Sequence, residues 1–339
     1  MTGRASLDQI LSRMNVTTES LLSAIDPKPG NVVLAAGTLI EGIGTPDSDL
    51  DLYVFCDQLP VAKNDNKHNY AEEHGGRLYH FYDYVGNDGY ALDAKYMLWQ
   101  SLDTLSERIR YEYNECLDVT KLRRYIFDEM LYLRNDSADM AHKLTYAVPL
   151  FGEEKWRQIR ENLELKKLNY VLYRTSMGGY PEFKDLAGFV KLDRWSEAVY
   201  VARILLIEQL RGYTHVLGNT NYKQKWIFAY LDRFSNIDSS IVERFYDCYS
   251  RSVKSDDEAR GVVFDIADLI DDIWNISGRI CDIDQEFPSR IEAGEAIERE
   301  LGREPIKDPQ TLMEFDQRRR QFGLDGLPLR SFILGNTSR

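Results

Sequence analysis

The sequence predicts an α+β protein, with a small mixed-sheet domain followed by an α-helical bundle domain. Short runs rich in β-branched and aromatic residues crowd into the first hundred positions. From about residue 102 the apolar residues recur at helical spacing instead. The length of 339 residues is worth about two domains, enough chain to bury cores without disulfide or metal staples.

The elements follow in chain order. Leu7, Ile10, Leu11 and Met14 stand at helical spacing, and Thr18 precedes a second run, Leu21, Leu22 and Ile25. The segment Asp26-Pro-Lys-Pro-Gly30 breaks that helix. Strand character then marks residues 32–36, 50–55, 78–85 and 90–97. The last two runs are joined by Gly86-Asn-Asp-Gly89, residues that tolerate the positive φ angles of a hairpin turn. A further strand is expected near residues 147–151.

Residues 194–211 are apolar on most faces, as a central bundle helix requires, and 256–277 carry one apolar stripe through Val262, Val263, Ile266, Leu269, Ile270 and Ile273. The opposite face of that helix is acidic, and Asp265, Asp268 and Asp272 form either a solvated surface or a seat for a polyamine-like acceptor. After Glu304 the prolines and glycines predict a loop-rich arm. The expected boundaries are therefore 1–152, 153–303 and 304–339, with no internal repeat.

Composition narrows the function. A net charge of −13 disfavours a long nucleic acid as the main partner, because phosphates call for a basic surface. Cys56, Cys116, Cys248 and Cys281 are widely separated, which reads as free thiols in a reducing, cytoplasmic setting. The N-terminal stretch has no secretory pattern, and no segment is apolar enough to span a membrane. The five histidines, His68, His74, His80, His142 and His215, lack metal-ligand spacing and read as incidental, and the Arg318-Arg319-Arg320 triplet carries little information.

The chemistry concentrates in residues 32–54, VVLAAGTLIEGIGTPDSDLDLYV. A strand ends at Gly37-Thr38, where a helix N-terminus with free N–H groups would favour phosphate. A turn at Thr45-Pro46-Asp47-Ser48 leads into a strand opening Asp49-Leu50-Asp51. On a strand, residues two apart share a face, so two anions there are costly unless a cation lies between them. With oxygen donors alone, the natural cation is Mg²⁺ or Mn²⁺.

These residues resemble the signature of the DNA polymerase β-like nucleotidyltransferase superfamily: Gly-Ser, a spacer, then Asp-x-Asp. The spacing from Gly37 to Asp49 and the run Pro46 to Leu52 are similar to the small-molecule (antibiotic-modifying) and minimal branches. Thr38 stands where the family usually has Ser. The resemblance implies a catalytic domain at 1–152 and a helical substrate- and nucleotide-binding domain at 153–303. It further implies that Gly37, Thr38 and Ser48 meet the triphosphate and that Asp49 and Asp51 hold two Mg²⁺ ions, with Mn²⁺ as an alternative. A third acid from a neighbouring strand, Asp93 with Asp83 as rival, would serve as metal ligand or base. Ala147 to Glu154 looks like the closing strand and turn of such domains. Lys225, or Lys223, resembles a lysine of the helical domain that reaches the triphosphate, set beside a Trp226 expected to be buried.

The implied reaction is transfer of a nucleoside monophosphate, AMP from ATP first, to a hydroxyl of a small acceptor, neutral or cationic, with loss of pyrophosphate. Antibiotic modification or a natural-product pathway is the favoured setting, and a homodimer stays open. The alternatives are the same chemistry on a protein, nucleotide or RNA end, or a decayed nucleotide-binding scaffold.

Overall fold

The computed structural model describes residues 6–45, 48–63, 65–73, 76–85, 90–120, 135–178, 180–284, 286–303 and 309–335. Helices α1 (Leu7–Arg13) and α2 (Thr18–Ile25) open the chain, capped by the hydroxyls of Ser6 and Thr17, each in a reciprocal capping box. α2 stops at Asp26, whose backbone is left-handed just before Pro27. Strand β1 (Val32–Ala36), the short helix α3 (Thr38–Glu41), and strands β2 (Asp51–Cys56), β3 (His68–Glu73), β4 (Gly76–Val85) and β5 (Tyr90–Leu98) follow. Then come α4 (Gln100–Leu117), α5 (Asn135–Tyr146), β6 (Val148–Phe151) and α6 (Glu153–Asn162).

The six strands form one mixed sheet in the order β3-β4-β5-β2-β1-β6. β2 and β5 run parallel, and the other neighbours are antiparallel. The expected hairpin is the β4–β5 pair, and its turn, residues 86–89, lies outside the described residues. β3 was not foreseen: its HNYAEE sequence is mostly polar and is held by pairing with β4.

Period-two alternation gives the sheet two chemically different faces. On one, Val33, Ala35, Leu52, Val54, Leu92 and Ala94 are buried in a core shared with Ile10, Leu11, Leu21 and Ile25. The Tyr96 hydroxyl, on the same side, donates to the Ile25 carbonyl at 3.0 Å. The other face carries Asp51, Tyr53, Asp93 and Lys95 in paired register.

The remainder is helical: α7 (Leu165–Ser176), α8 (Tyr180–Lys191), α9 (Trp195–Val216), a 3-10 turn (Gln224–Trp226), α10 (Ile227–Arg233), α11 (Ser239–Ser250), α12 (Asp256–Cys281), α13 (Arg290–Arg303), α14 (Pro309–Gln321) and α15 (Leu329–Ile333). The chain divides into two units, Met1–Tyr111 with Leu133–Leu165, and Glu112–Tyr132 with Lys166–Arg339. In the second, α9 and α12 form the centre of a single large apolar core. Within it the buried Trp274 indole is matched, since its Nε1 donates to Gln209 Oε1 at 2.8 Å.

The expectation of a loop-rich C-terminal arm is corrected. Pro309 is the first residue of α14 and Pro328 precedes α15, positions where a missing N–H costs a helix nothing. Phe315, Phe322, Leu329 and Ile333 are buried, and Asp271 of α12 accepts from Arg320 and from the Leu329 N–H, both at 2.9 Å.

All four cysteines are free and buried. Among the described residues, no helix is long and apolar enough to cross a membrane.

Two glycines of α12 offer a test of this packing. A Cβ at Gly278 would overlap the Phe322 carbonyl, whereas one at Gly261 meets nothing within 4 Å. Gly278→Ala should destabilise the protein by about 1–3 kcal/mol through overpacking. Gly261→Ala should stabilise it by up to about 1 kcal/mol through helix propensity. Urea midpoints moving in the same direction for both variants would refute the described contact.

Candidate active site

β1 ends at Ala36, and Gly37 turns the chain into α3. Gly37 has φ of +91°, in the left-handed region that favours glycine. A Cβ on it would collide with Asp51 Oδ2. The bare backbone was expected to make room for a phosphate, but in this structure the space beside its α-carbon belongs to the Asp51 carboxylate. α3 is a single turn of four residues, too short for a substantial dipole, and the Thr38 carbonyl accepts N–H groups from Gly42, Ile43 and Gly44. Ser48 Oγ accepts from the Thr45 N–H at 2.9 Å, so this hydroxyl is engaged locally; Pro46 and Asp47 lie outside the described residues.

β2 begins at Asp51, so Asp49 precedes the strand and strand alternation does not set its direction. Pairing with β1 stops at Ala36 opposite Asp51, which leaves Asp49 beyond the ladder. Asp49 is exposed and Asp51 half-buried, with the fully buried Leu50 between them.

Asp93 stands directly opposite Asp51 across the parallel β2–β5 pair. Its rival Asp83 pairs with Leu92, which puts it on the opposite face, and it is bound there by Lys67 at 2.6 Å. The sheet thus brings Asp51 and Asp93 together and excludes Asp83.

Three further groups on or over this face, His80, Lys143 and Asp139, were not among the site residues the sequence reading marked. His80 Nδ1 is 3.5 Å from Asp93 Oδ1, a partner that the reading of this histidine as incidental did not anticipate. The ring holds the Asp93 carboxyl below its usual range, aided by Lys95 and Lys143 and opposed by burial. Lys95, opposite His80 on β5, completes that side. From α5, Lys143 Nζ lies 2.9 Å from Asp51 Oδ1 and 3.2 Å from Asp139 Oδ2. Burial alone would lower the Lys143 pKa, but Tyr53, Asp51 and Asp139 outweigh it and raise it above the ordinary lysine value.

The residue before Lys143 anchors the helix. His142 Nε2 and Glu41 Oε2 are 2.9 Å apart, and both side chains are almost fully buried. This pair ties α5 to α3, the turn that begins at Gly37. One buried contact therefore fixes the glycine turn and the lysine-bearing helix relative to each other.

Among the described residues, no three His, Cys, Asp or Glu side chains cluster closely enough to cage a metal ion. The expected three-acid cluster is thus not preformed. Mg²⁺ does not require one, since it binds through one or two carboxylates plus waters and phosphate oxygens. The oxygen pair Asp51 and Asp93 fits that demand, with the Lys143 ammonium now on one of those oxygens.

The remaining expectations fall in the second unit. Lys225 is exposed and Lys223 half-buried, each against the ring next to it, and Trp226 is half-buried instead of buried. The acidic face of α12 is already paired: Arg251 with Asp265 at 2.7 Å, Arg330 with Asp268 at 3.1 Å, and Arg244 with Asp272 at 2.6 Å. A polyamine seat there is not supported. Arg319 and Arg320 are likewise bound internally, to Glu298 and Asp271.

No family model matches the chain, and no curated protein matches it significantly. Among solved structures it is similar to a nucleotidyltransferase-like protein from Exiguobacterium sibiricum 255-15, at 9% identity over 79% of this chain and 78% of that one, with a TM-score of 0.40. At this identity and score the match assigns no residue a role.

The Asp51–Lys143 pair makes a stability prediction. Its side chains are 22% and 15% exposed, so Asp51→Asn should cost about 1–3 kcal/mol by removing one of the two carboxylates that hold a mostly buried ammonium, the other being Asp139. Simple relief of carboxylate repulsion predicts no loss or a gain. Denaturant unfolding of the metal-free protein distinguishes the two.

Proposed function

We propose that this chain is a nucleotidyltransferase that moves a nucleoside monophosphate, AMP from ATP first, onto a hydroxyl of a small molecule and releases pyrophosphate. The observation that supports it most is the pairing of Asp51 and Asp93 across parallel strands, beside Gly37 and under the Lys143 ammonium of α5. Two carboxylates on one polar sheet face suit phosphoryl chemistry, in which charge must be balanced at both the attacking and the leaving oxygen.

In this reading the acceptor oxygen forms a bond to the α-phosphorus as the bond to the bridging oxygen breaks, and pyrophosphate carries away the electron pair. Asp93 takes the acceptor proton. His80 orients its carboxylate from 3.5 Å. Asp51, Asp93 and Asp49 would hold Mg²⁺, or Mn²⁺, together with phosphate oxygens. When bound, those ions neutralise charge that develops on the transferred group. Gly37 keeps the Asp51 carboxylate close to the turn, and Thr38 and Ser48 are the proposed phosphate contacts. The role of this chemistry in antibiotic modification belongs to the same proposal and depends on which acceptor is found.

The test is pyrophosphate release from each of the four NTPs with Mg²⁺, scored against a panel of hydroxylated small molecules. ATP with one class of acceptor should give turnover. Asp49→Asn and Asp51→Asn should abolish it, and Asp93→Asn should lower kcat by about 10²–10⁴-fold. Asp83→Asn, on the far face, should stay near wild type. Pyrophosphate release that survives Asp51→Asn, or that is absent with every NTP, would overturn the proposal.

A further inference from the structure

We infer that Lys143 is the resident counter-ion of the carboxylate pair, and that it must leave Asp51 when a divalent cation binds there. The inference rests on the nucleotidyltransferase reading, because that reading is what calls for a divalent cation at Asp51.

The geometry carries the argument. The ammonium sits between two carboxylates from different elements, 2.9 Å from Asp51 Oδ1 on the sheet and 3.2 Å from Asp139 Oδ2 one helical turn earlier on α5. The three side chains are 15%, 22% and 20% exposed, so water screens them weakly and each charge is felt strongly by the others. An ammonium and a divalent cation on one carboxylate oxygen would lie only about 4 Å apart, and in so weakly screened a site their repulsion is large. Competition at Asp51 Oδ1 follows directly.

The competition is also local. α5 cannot drift away to relieve it, because its neighbouring residue His142 is held to Glu41 in a nearly fully buried pair. What can move is the four-carbon stem of Lys143, which swings its point charge without moving the backbone. Asp139 is on the same helix, four residues back, so it can keep the ammonium after Asp51 is surrendered. Lys143 then remains beside the site as a cation that a phosphate oxygen can meet. The protein would bind a bare divalent cation weakly and hold its two carboxylates charge-balanced until one arrives.

The experiment is Mn²⁺ binding to the full chain without nucleotide, followed by the electron paramagnetic resonance of free Mn²⁺, for wild type, Lys143→Met and Asp51→Asn. Removal of the ammonium should tighten Mn²⁺ binding by at least about tenfold, the scale expected for deleting one weakly screened charge next to the ion. Asp51→Asn should bind more weakly than Lys143→Met. If wild type binds Mn²⁺ and Lys143→Met binds it no more tightly, the counter-ion inference fails while the metal reading stands. If neither binds, both fail.

A second measurement uses wild type alone and so does not depend on the variant folding. Acetylation of lysine amines, read by mass spectrometry, should rise severalfold at Lys143 as Mn²⁺ is added, relative to the exposed Lys28. Unchanged labelling of Lys143 at saturating Mn²⁺ would overturn the inference.

Discussion

The parallel pairing of β2 with β5 sets two carboxylates side by side on one face of the sheet, and much of the first unit answers that electrostatic problem. Two like charges roughly 5 Å apart repel by about 3 kcal/mol at an effective dielectric of 20. A fold with a margin of only about 5–15 kcal/mol must balance such a cost. The balance comes from groups on three sides: the Lys143 ammonium on Asp51, and the His80 ring with Lys95 around Asp93. The helix over this face therefore has to bring a positive charge, whereas the helices on the other face bring Leu and Ile.

Gly37 belongs to the same arrangement. Its positive φ lets the chain leave β1 and enter α3 immediately, and its lack of a side chain lets Asp51 lie against the turn. Glu41 at the end of α3 then meets His142, whose neighbour in sequence is the lysine that binds Asp51. The circuit runs from glycine turn to helix, to buried pair, to ammonium, and back to the carboxylate beside the glycine. A change at any member is felt by the others because the side chains are mostly out of water.

The second unit treats charge differently. Its stability comes from the apolar seam between α9 and α12, while the acidic outer face of α12 is matched by arginines from α11, from the residue after it, and from α15. Such exposed pairs are each worth about 0–1 kcal/mol, so they contribute more to solubility and orientation than to stability. With those arginines in place, nothing in the arrangement favours a cationic acceptor on the acidic face.

The α+β class, the strand runs at 32–36 and 50–55, the β4–β5 hairpin and the helical remainder were legible because each rests on local periodicity or on turn chemistry that a single segment carries. The order of chemistry-bearing residues around Gly37 and Asp51 was legible for the same reason. Asp93 could be preferred over Asp83 from sequence, but only strand register shows which of the two shares the face of Asp51, since a one-residue shift sends a side chain to the other face. β3 escaped because its polar sequence gains strand character from its partner, and the C-terminal helices escaped because prolines at helix starts look like breakers when read without their caps. The sequence by itself determined that an uncompensated pair of acids needed a cation nearby. Tertiary structure alone decided that Lys143, 92 residues from Asp51 along the chain, supplies one, because nothing local to either residue records which helix will cover which face of a sheet.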